Sequence, residues 1–581
     1  MQQGLKPKGP LPQLEPIEAL LGRSDLTSVA LDPTPGQDGL VAEISASVAF
    51  ANKLFTLSSG GSNLVSLTDW SDPANPLLVQ QIELSGFFTT SVASFGNLIA
   101  IAATPENYDA IGSATPESQI RFYSINPSGK LTELAVVNTG FLTDGMRFSA
   151  DGTQLYIANE GQPNADYSVD PVGSVSIINI TGQGGNLQFS EAEVFFPDLN
   201  AIGVQQLGSG IRFSGQDGIT ASFGQDAEPE YVAAAGGYLF VTLQENNTVA
   251  RINLATNQVE SYIGLGWVDY SQVSVDLTDR DATDGTAPVA GFNPLSGQSV
   301  VGLRMADGIA AWQQGDDVFF ITANEGDGRE YGDYLDERRD SGLGYGAVPG
   351  RLKLVVNAND TSEALVLGDE LALGDADPTN DFSFESTPSR SGTPVSFGSR
   401  SLSLFDGITG ELVWDSWMAD TINGITYNTS LQNIAQFAGI YDDTRSDDKG
   451  VEPESVAVLE YQDRRYVVGA LERTNAGNKT SDPSDLDPVT QGGLLVVYDV
   501  TDVNNVDFVT YQQVSRSPEG LEVISASQSP TGRLLLGVSA EFDSNSVEFL
   551  DFGALLDNGK GAAYLASSYS NPSLYATLPV A

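Results

Sequence analysis

The chain has 581 residues and carries 76 acidic against 27 basic side chains, a formal net charge of −49, with no histidine and no cysteine. The two absences exclude nucleophiles paired with histidine, and they exclude the nitrogen and sulfur ligands of zinc, haem and iron–sulfur sites. Side chains therefore offer a metal mainly oxygen, which favours calcium or magnesium, and the negative charge repels phosphate, so no nucleic acid partner is expected.

The N-terminal residues contain several prolines and lack the apolar stretch of a signal peptide, so no signal peptide is expected in the chain as given. The apolar run at 97–104 is too short to span a membrane and reads as a buried strand. From residue 53 onward, a β-rich run ending in a polar turn recurs along the chain. Its seven occurrences are 53–58, 98–104, 154–159, 238–243, 318–323, 465–471 and 533–539.

Each run is followed by a segment that alternates apolar and polar residues and closes on Asn, Asp or Ser, as at 63–69 and 174–179. Such alternation is typical of half-exposed strands, and a further strand returns after the next turn. Another strand precedes each run. Four strands in each of seven units predict an all-β fold, a seven-bladed β-propeller with long loop insertions.

The predicted organisation is an N-terminal arm at 1–24, the propeller at 25–552 and a C-terminal arm at 553–581. The last unit shows three strands, and residues 27–31 are expected to supply its missing outer strand and so close the ring. Long loops in a compact domain carry function or merely decorate it. The insertions fall at 161–173, 199–225, 271–302, 326–398, 418–449 and 474–491.

Two acidic positions recur with the unit. First strands of propeller blades line the central channel, so the acids that open them should form a partial ring at one mouth. A second acid follows most middle strands, on a connection at the same face. Alternatively, each acid accepts backbone hydrogen bonds between blades and repeats because the fold repeats. The predicted mouth acids are Glu43, Asp144, Glu230, Asp307, Glu454 and Glu519, followed by Glu160, Glu245, Glu472 and Glu541; the second unit lacks an opening acid near Thr89.

The segment 324–339 is the most specific candidate site because it does not repeat. Carboxylates separated by glycines at this density suit calcium, although the EF-hand pattern is absent. The alternative interpretation is a solvated acidic loop. The predicted metal ligands are Glu325, Asp327, Glu330, Asp333 and Asp336, and the nearby arginines predicted to neutralise the acids or bind an anion are Arg329 and Arg473.

These motifs resemble the choice-of-anchor I family. Its members include bacterial secreted proteins, the mesenchyme-specific cell surface glycoproteins of biomineralising animals, and proteins described as atypical alkaline phosphatases. The residues that carry the resemblance are 42–44, 321–327 with 329–331, 450–454, 470–473, and 517–521 followed by 529–532. The similar region runs from about residue 25 to 552.

The resemblance implies a seven-bladed propeller at the cell surface or outside the cell. We therefore expect a surface-layer-like protein that binds calcium and acts in binding and assembly, with cell-surface polysaccharides or neighbouring surface proteins as partners. The alternative is a calcium-dependent phosphatase or phosphoesterase, by analogy with alkaline phosphatase-like family members and propeller phytases. The residues themselves leave open whether the protein is an enzyme.

Overall fold

The computed structural model describes residues 44–557, except 51–52, 60–61, 72–76, 111, 113, 183, 217, 280–291, 332–333, 341–350, 358–359, 368–381, 387–391, 419, 423–424, 428, 475–491 and 541–545. The described chain is all-β, as predicted, and its middle strands coincide with the recurring runs. Glu43, Asp333, Glu541 and the predicted clasp at 27–31 lie outside the described residues. No helix among the described residues is long and apolar enough to cross a membrane.

The first three sheets are antiparallel meanders of four strands in chain order. Sheet 1 contains β1 (Ile44–Phe50), β2 (Lys53–Ser59), β3 (Leu64–Asp69) and β4 (Leu77–Glu83). Sheet 2 contains β5 (Phe87–Phe95), β6 (Leu98–Pro105), β7 (Glu117–Ile125) and β8 (Leu131–Phe141). Sheet 3 contains β9 (Thr143–Phe148), β10 (Gln154–Asn159), β11 (Ser174–Thr181) and β12 (Gln188–Phe195).

Four more sheets repeat the meander. Sheet 4 contains β14 (Pro229–Ala235), β15 (Tyr238–Leu243), β16 (Thr248–Asn253) and β17 (Gln258–Leu265), with β13 (Gln205–Ser209) added in parallel to β17. Sheet 5 contains β20 (Ile309–Gln314), β21 (Asp317–Asn324), β29 (Ser401–Asp406) and β30 (Leu412–Asp415). Sheet 6 contains β33 (Pro453–Tyr461), β34 (Arg464–Leu471), β35 (Gly493–Asp499) and β36 (Asp507–Val514), and sheet 7 contains β37 (Pro518–Ile524), β38 (Leu535–Ala540) and β39 (Ser546–Asp551).

Much of the sequence predicted as loop insertion instead contributes to an eighth, inserted sheet. Two of its strands lie in the chain between sheets 4 and 5, and the other five lie between β21 and β29 of sheet 5. Most strands of the inserted sheet are short, and runs such as Lys353–Asn357 are too brief for alternation to distinguish them from loops. The strands are β18 (Trp267–Asp269), β19 (Val301–Leu303), β24 (Glu337–Arg339), β25 (Lys353–Asn357), β26 (Asp360–Leu367), β27 (Phe382–Ser386) and β28 (Thr393–Ser396).

The remaining elements are short. Two hairpins pair β22 (Glu330–Tyr331) with β23 (Tyr334–Leu335), and β31 (Asp420–Ile422) with β32 (Ile425–Tyr427). The helices are α1 (Phe223–Asp226), α2 (Leu431–Ala438) and α3 (Phe552–Asp557), with 3-10 turns at Gly184–Asn186 and Asp443–Arg445.

The core lies between the faces of successive sheets. Middle strands such as β6 are buried on both faces because a neighbouring sheet covers each side. Val48 and Leu57 of sheet 1 pack with Ile99 and Ile101 of sheet 2, for example. These apolar β-branched and leucine side chains stabilise the assembly mainly through their removal from water.

The first strands of the sheets are neighbours in a closed cycle. β1 contacts β5, and contacts continue through β9, β14, β20, β33 and β37, which returns to β1. Much of the closure is apolar: Leu54 of sheet 1 packs with Leu535 and Phe549 of sheet 7, and the rings of Trp70 and Phe549 meet edge to face at 5.0 Å. The Ser47 N–H of β1 also donates to Glu522 Oε1 of β37 at 2.7 Å. The residues that open the first strands therefore meet at one end of this cycle.

Candidate functional site

Several of the recurring acids lie on β-bulges at the end of the ring where the first strands begin. Glu230 lies where the β14–β15 register shifts between Pro229 and Val232. Glu454 occupies the equivalent place on β33, and Glu519 does so on β37. A bulge leaves an extra residue outside the ladder and redirects its side chain. The bulge thus explains how an acidic residue can begin a first strand without its side chain pointing into the apolar space between sheets.

One group of acids, here called the west cluster, joins sheets 3 and 4 and contains Asp144, Glu160, Glu230 and Glu245. Asp144 and Glu230 are hydrogen-bonded to each other, which lowers the pKa of Asp144 and adds to the rise in the pKa of Glu230. Burial raises the pKa of Asp144 to about 6 against the effect of that bond. Burial, followed by repulsion from neighbouring carboxylates, raises the pKa values of Glu160, Glu230 and Glu245 well above their ordinary range.

A cavity of about 400 Å³ opens beside the west cluster. Its carboxyl-bearing lining residues are Glu106, Asp109, Asp144 and Glu160, and no lysine or arginine belongs to the lining that the structure describes. Thr90, on the bulge of β5, also lines it. The space therefore lies at the second sheet, where the opening strand carries threonine instead of an acid.

The second group, here called the east cluster, joins sheets 5 and 6 and contains Asp307, Glu325, Glu452, Glu454 and Glu472. Glu325, Glu452 and Glu454 are buried, and one carboxylate oxygen of each lies within 4.8 Å of the others. Burial raises the pKa of Glu472 to about 7, although Arg473 and a hydrogen bond with Glu454 lower it in part. Burial and then the Glu325 carboxylate raise the pKa of Asp307 well above its usual range.

Three cations partly neutralise the east cluster. Lys449 Nζ contacts Glu325 Oε1 and lies 3.1 Å from Asp327 Oδ1 and 3.7 Å from Glu452 Oε2. Arg445 Nη2 lies 2.6 Å from Glu452 Oε1. Arg473 Nη2 lies 2.8 Å from Glu472 Oε1, and its side chain keeps 30% of its surface exposed. Arg473 is therefore beside the acids, as its place in the sequence suggested.

Arg329 instead has a buried, internal set of partners. Its guanidinium donates to Glu228 Oε2 at 3.0 Å, to Asp226 Oδ1 at 2.7 Å and to Ser214 Oγ at 2.6 Å. Burial lowers the pKa of Arg329, but the carboxylates of Glu228 and Asp226 outweigh that effect and raise it overall. The guanidinium nitrogens of Arg329 therefore face protein oxygens, and Arg329 joins the β22–β23 hairpin to residues 214–228, which precede β14.

The described residues of the predicted calcium loop do not all converge on one point, although Glu325 and Asp327 both face Lys449 Nζ. Asp336 is buried and paired with Arg212 at 2.5 Å, and it also accepts from the Arg329 backbone N–H at 2.9 Å. Glu330 is exposed on β22, whereas Asp327 is 56% exposed at the edge of the east cluster. Glu325 is the member that the structure joins to other carboxylates, those of Glu452 and Glu454.

Sequence reasoning missed Glu228, Glu452 and Lys449. A sign was present for the first two, because Glu228 and Glu452 each begin a Glu-Pro-Glu triplet whose last acid was predicted. Glu452 also has a left-handed backbone, with φ of 45°, which no sequence pattern marked. Lys449 carried no sequence sign, because its partner Glu325 lies 124 residues earlier.

The fold and the acidic ring end define a β-rich protein built of repeated sheets around a carboxylate site. The chain belongs to the choice-of-anchor I domain family, whose model matches residues 43–503. Membership confirms the resemblance seen in the sequence and indicates a surface-associated protein. No curated protein matches the chain.

Solved structures align over most of the chain at low identity. Hydrazine synthase of Kuenenia stuttgartiensis is 10% identical to this chain, and the alignment covers 90% of this chain and 98% of the hydrazine synthase chain, with a TM-score of 0.37. Sqt1 of Chaetomium thermophilum is 11% identical, with coverages of 89% and 97% and a TM-score of 0.36. A putative 6-phosphogluconolactonase of Bacteroides fragilis is 11% identical, with coverages of 78% and 98% and a TM-score of 0.27. At these scores the alignments carry no inference.

Proposed function

We propose that the chain is a seven-bladed β-propeller of the cell surface whose acidic end binds calcium and which acts in binding and assembly. The closed cycle of first strands supports the propeller, because seven meander sheets arranged this way correspond to seven blades. The family supports the surface location and an extracellular setting. Surface polysaccharides or neighbouring surface proteins are the proposed partners.

The observation that carries calcium binding is the oxygen set of Glu325, Glu452 and Glu454. Calcium binds oxygen at about 2.3–2.6 Å, so two oxygens on one ion lie at most about 5 Å apart. The three carboxylate oxygens meet that condition, being within 4.8 Å of one another. Glu454 Oε1 is buried and accepts no bond from an N–H or hydroxyl donor among the described residues. A divalent cation would supply the positive charge that this buried site lacks.

Calcium fits better than magnesium for a geometric reason. The carboxylates come from two sheets and a left-handed turn, and calcium accepts irregular coordination, whereas magnesium demands a near-ideal octahedron. Occupancy should also stabilise the fold, because an ion that binds only the folded chain shifts unfolding by mass action. The site would link sheets 5 and 6, since Glu325 follows β21 and Glu454 belongs to β33.

The test is calcium titration by calorimetry on the chain after chelation, combined with thermal unfolding. The native chain should bind calcium and melt at a higher temperature, whereas Glu454→Gln should lose both effects. Glu83→Gln, on the exposed end of β4, is the matched control and should retain both. Absence of heat and of any melting shift at millimolar calcium would contradict the proposal.

A calcium-dependent phosphoesterase is the second candidate. It is favoured by one observation: Arg473 is partly exposed next to Glu472 and Glu452, where an anionic substrate would meet both a metal and a guanidinium. Hydrolysis of p-nitrophenyl phosphate that needs calcium and disappears in Glu454→Gln would establish it. Calcium binding without hydrolysis would exclude the phosphoesterase and retain the role in binding and assembly.

A further inference from the structure

The loop at 441–450, between α2 and β33, contacts the inserted sheet on one side. Asp447 Oδ2 lies 2.8 Å from a guanidinium nitrogen of both Arg339 and Arg351, while Asp448 Oδ1 lies 3.1 Å from Lys353 Nζ. Main-chain bonds add to these pairs, because the Lys353 N–H donates to Asp447 O at 3.0 Å. The loop backbone is thus held in place immediately before Lys449.

The chain is also fixed immediately after Lys449. Gly450 has φ of 83°, and a Cβ there would come within 2.9 Å of Arg400 Cδ. The Gly450 N–H donates to Arg445 O at 2.9 Å. Arg400, which is buried beside Gly450, also holds the residues before Lys449, since it donates to the carbonyls of Ser446 at 2.7 Å and Asp448 at 3.0 Å. With the backbone held on both sides, the part of Lys449 that can change position is its flexible four-carbon side chain.

That side chain places its ammonium among the proposed calcium ligands. Lys449 Nζ contacts Glu325 and approaches Glu452 at 3.7 Å, and these two acids belong to the three-carboxylate set. An ammonium and a divalent cation cannot share these oxygens, because the space is common and their charges repel strongly at such separations. An ion that enters must therefore displace the ammonium.

From this geometry, and resting on the proposed calcium site, we propose that Lys449 is a tethered counter-ion that competes with calcium for Glu325, Glu452 and Glu454. Without calcium, the ammonium limits repulsion among the buried carboxylates. With calcium, the side chain leaves and the loop backbone stays anchored on the inserted sheet. The competition weakens the site, so that it responds to the millimolar calcium found outside cells.

The test compares calcium affinity, by calorimetry after chelation, among the native chain, Lys449→Gln and a control. Removal of the ammonium should tighten calcium binding by roughly ten-fold or more, since a close positive charge is lost. Lys53→Gln is the control, because Lys53 also pairs with one carboxylate, Asp69, at 2.7 Å but lies on sheet 1. It should leave the calcium affinity unchanged.

The outcomes separate this inference from the function on which it rests. Equal affinity in the native chain and Lys449→Gln would overturn the competition and leave calcium binding intact. No binding in any of the three folded proteins would overturn both proposals. If Lys449→Gln unfolds after chelation, recovery of its circular dichroism in millimolar calcium supports the competition, and failure to recover contradicts it. Lys449→Arg, which keeps the charge, should retain the native affinity.

Discussion

Replacement of Arg329 by methionine should destabilise the fold strongly. The side chain has no exposed surface and bonds to Asp226, Glu228 and Ser214, which come from a segment about a hundred residues earlier in the chain. Methionine fills part of the volume but leaves two buried carboxylates without their cation. Removal of one partner from a buried ion pair costs about 3–5 kcal/mol, and most of that cost is the charge left behind.

The loss should depend on pH in a defined direction. Burial already raises the pKa of Glu228, and Arg329 opposes that rise. In Arg329→Met the pKa of Glu228 should rise further, so the folded chain takes up a proton more readily than the unfolded chain. Its stability then increases as pH falls, and the difference from the native chain should be largest near pH 8 and smaller near pH 5.

The assay is urea unfolding of the chelated chain, followed by tryptophan fluorescence, at several pH values. Arg464→Met provides the matched control, because Arg464 pairs with Asp499 at 2.5 Å but is 55% exposed. Exposed pairs are screened by water and contribute under about 1 kcal/mol. The reasoning would be refuted if the two variants lost similar stability, or if the loss in Arg329→Met grew as the pH fell.

Two further perturbations test the site and its surroundings. Burial raises the pKa of Asp144 from 3.8 to about 6, so the chelated chain should lose stability as the pH rises from about 4 to 6, and titration of Asp144 should change the stability little above pH 6. In Asp144→Asn the melting temperature should vary less with pH across this range. An unchanged slope of melting temperature against pH would contradict the assignment. Gly326→Ala should lower the free energy of unfolding, measured by chemical denaturation, by well over 1 kcal/mol, because a Cβ there would lie 2.0 Å from Gly398 N. The control is Gly297→Ala, since Gly297 has a similar positive φ with open space around it, and its loss should be about 1 kcal/mol or less. Equal losses in the two variants would refute the steric argument.

The sequence revealed elements whose pattern is local. The middle strands repeat an apolar run before a polar turn, and the run alone was enough to locate β2, β6 and β10, for example. The acids of the ring end were also visible, since Glu230 and Glu454 occupy matching places in the fourth and sixth units. The inserted sheet was not visible, because most of its strands are short and some pair across long stretches of chain, as when β19 pairs with β28.

What the sequence determined by itself was the all-β repeat, the family and the restriction of any metal site to oxygen ligands, because composition and alternation are properties of neighbouring residues. Only the tertiary structure decided which acids meet. Glu325 could have belonged with Asp336, eleven residues along the chain, but Asp336 is neutralised by Arg212 and Glu325 faces Glu452, Glu454 and Lys449. Burial makes an unpaired charge costly, so packing over long separations fixes each partner, and those separations leave no periodic trace in the sequence.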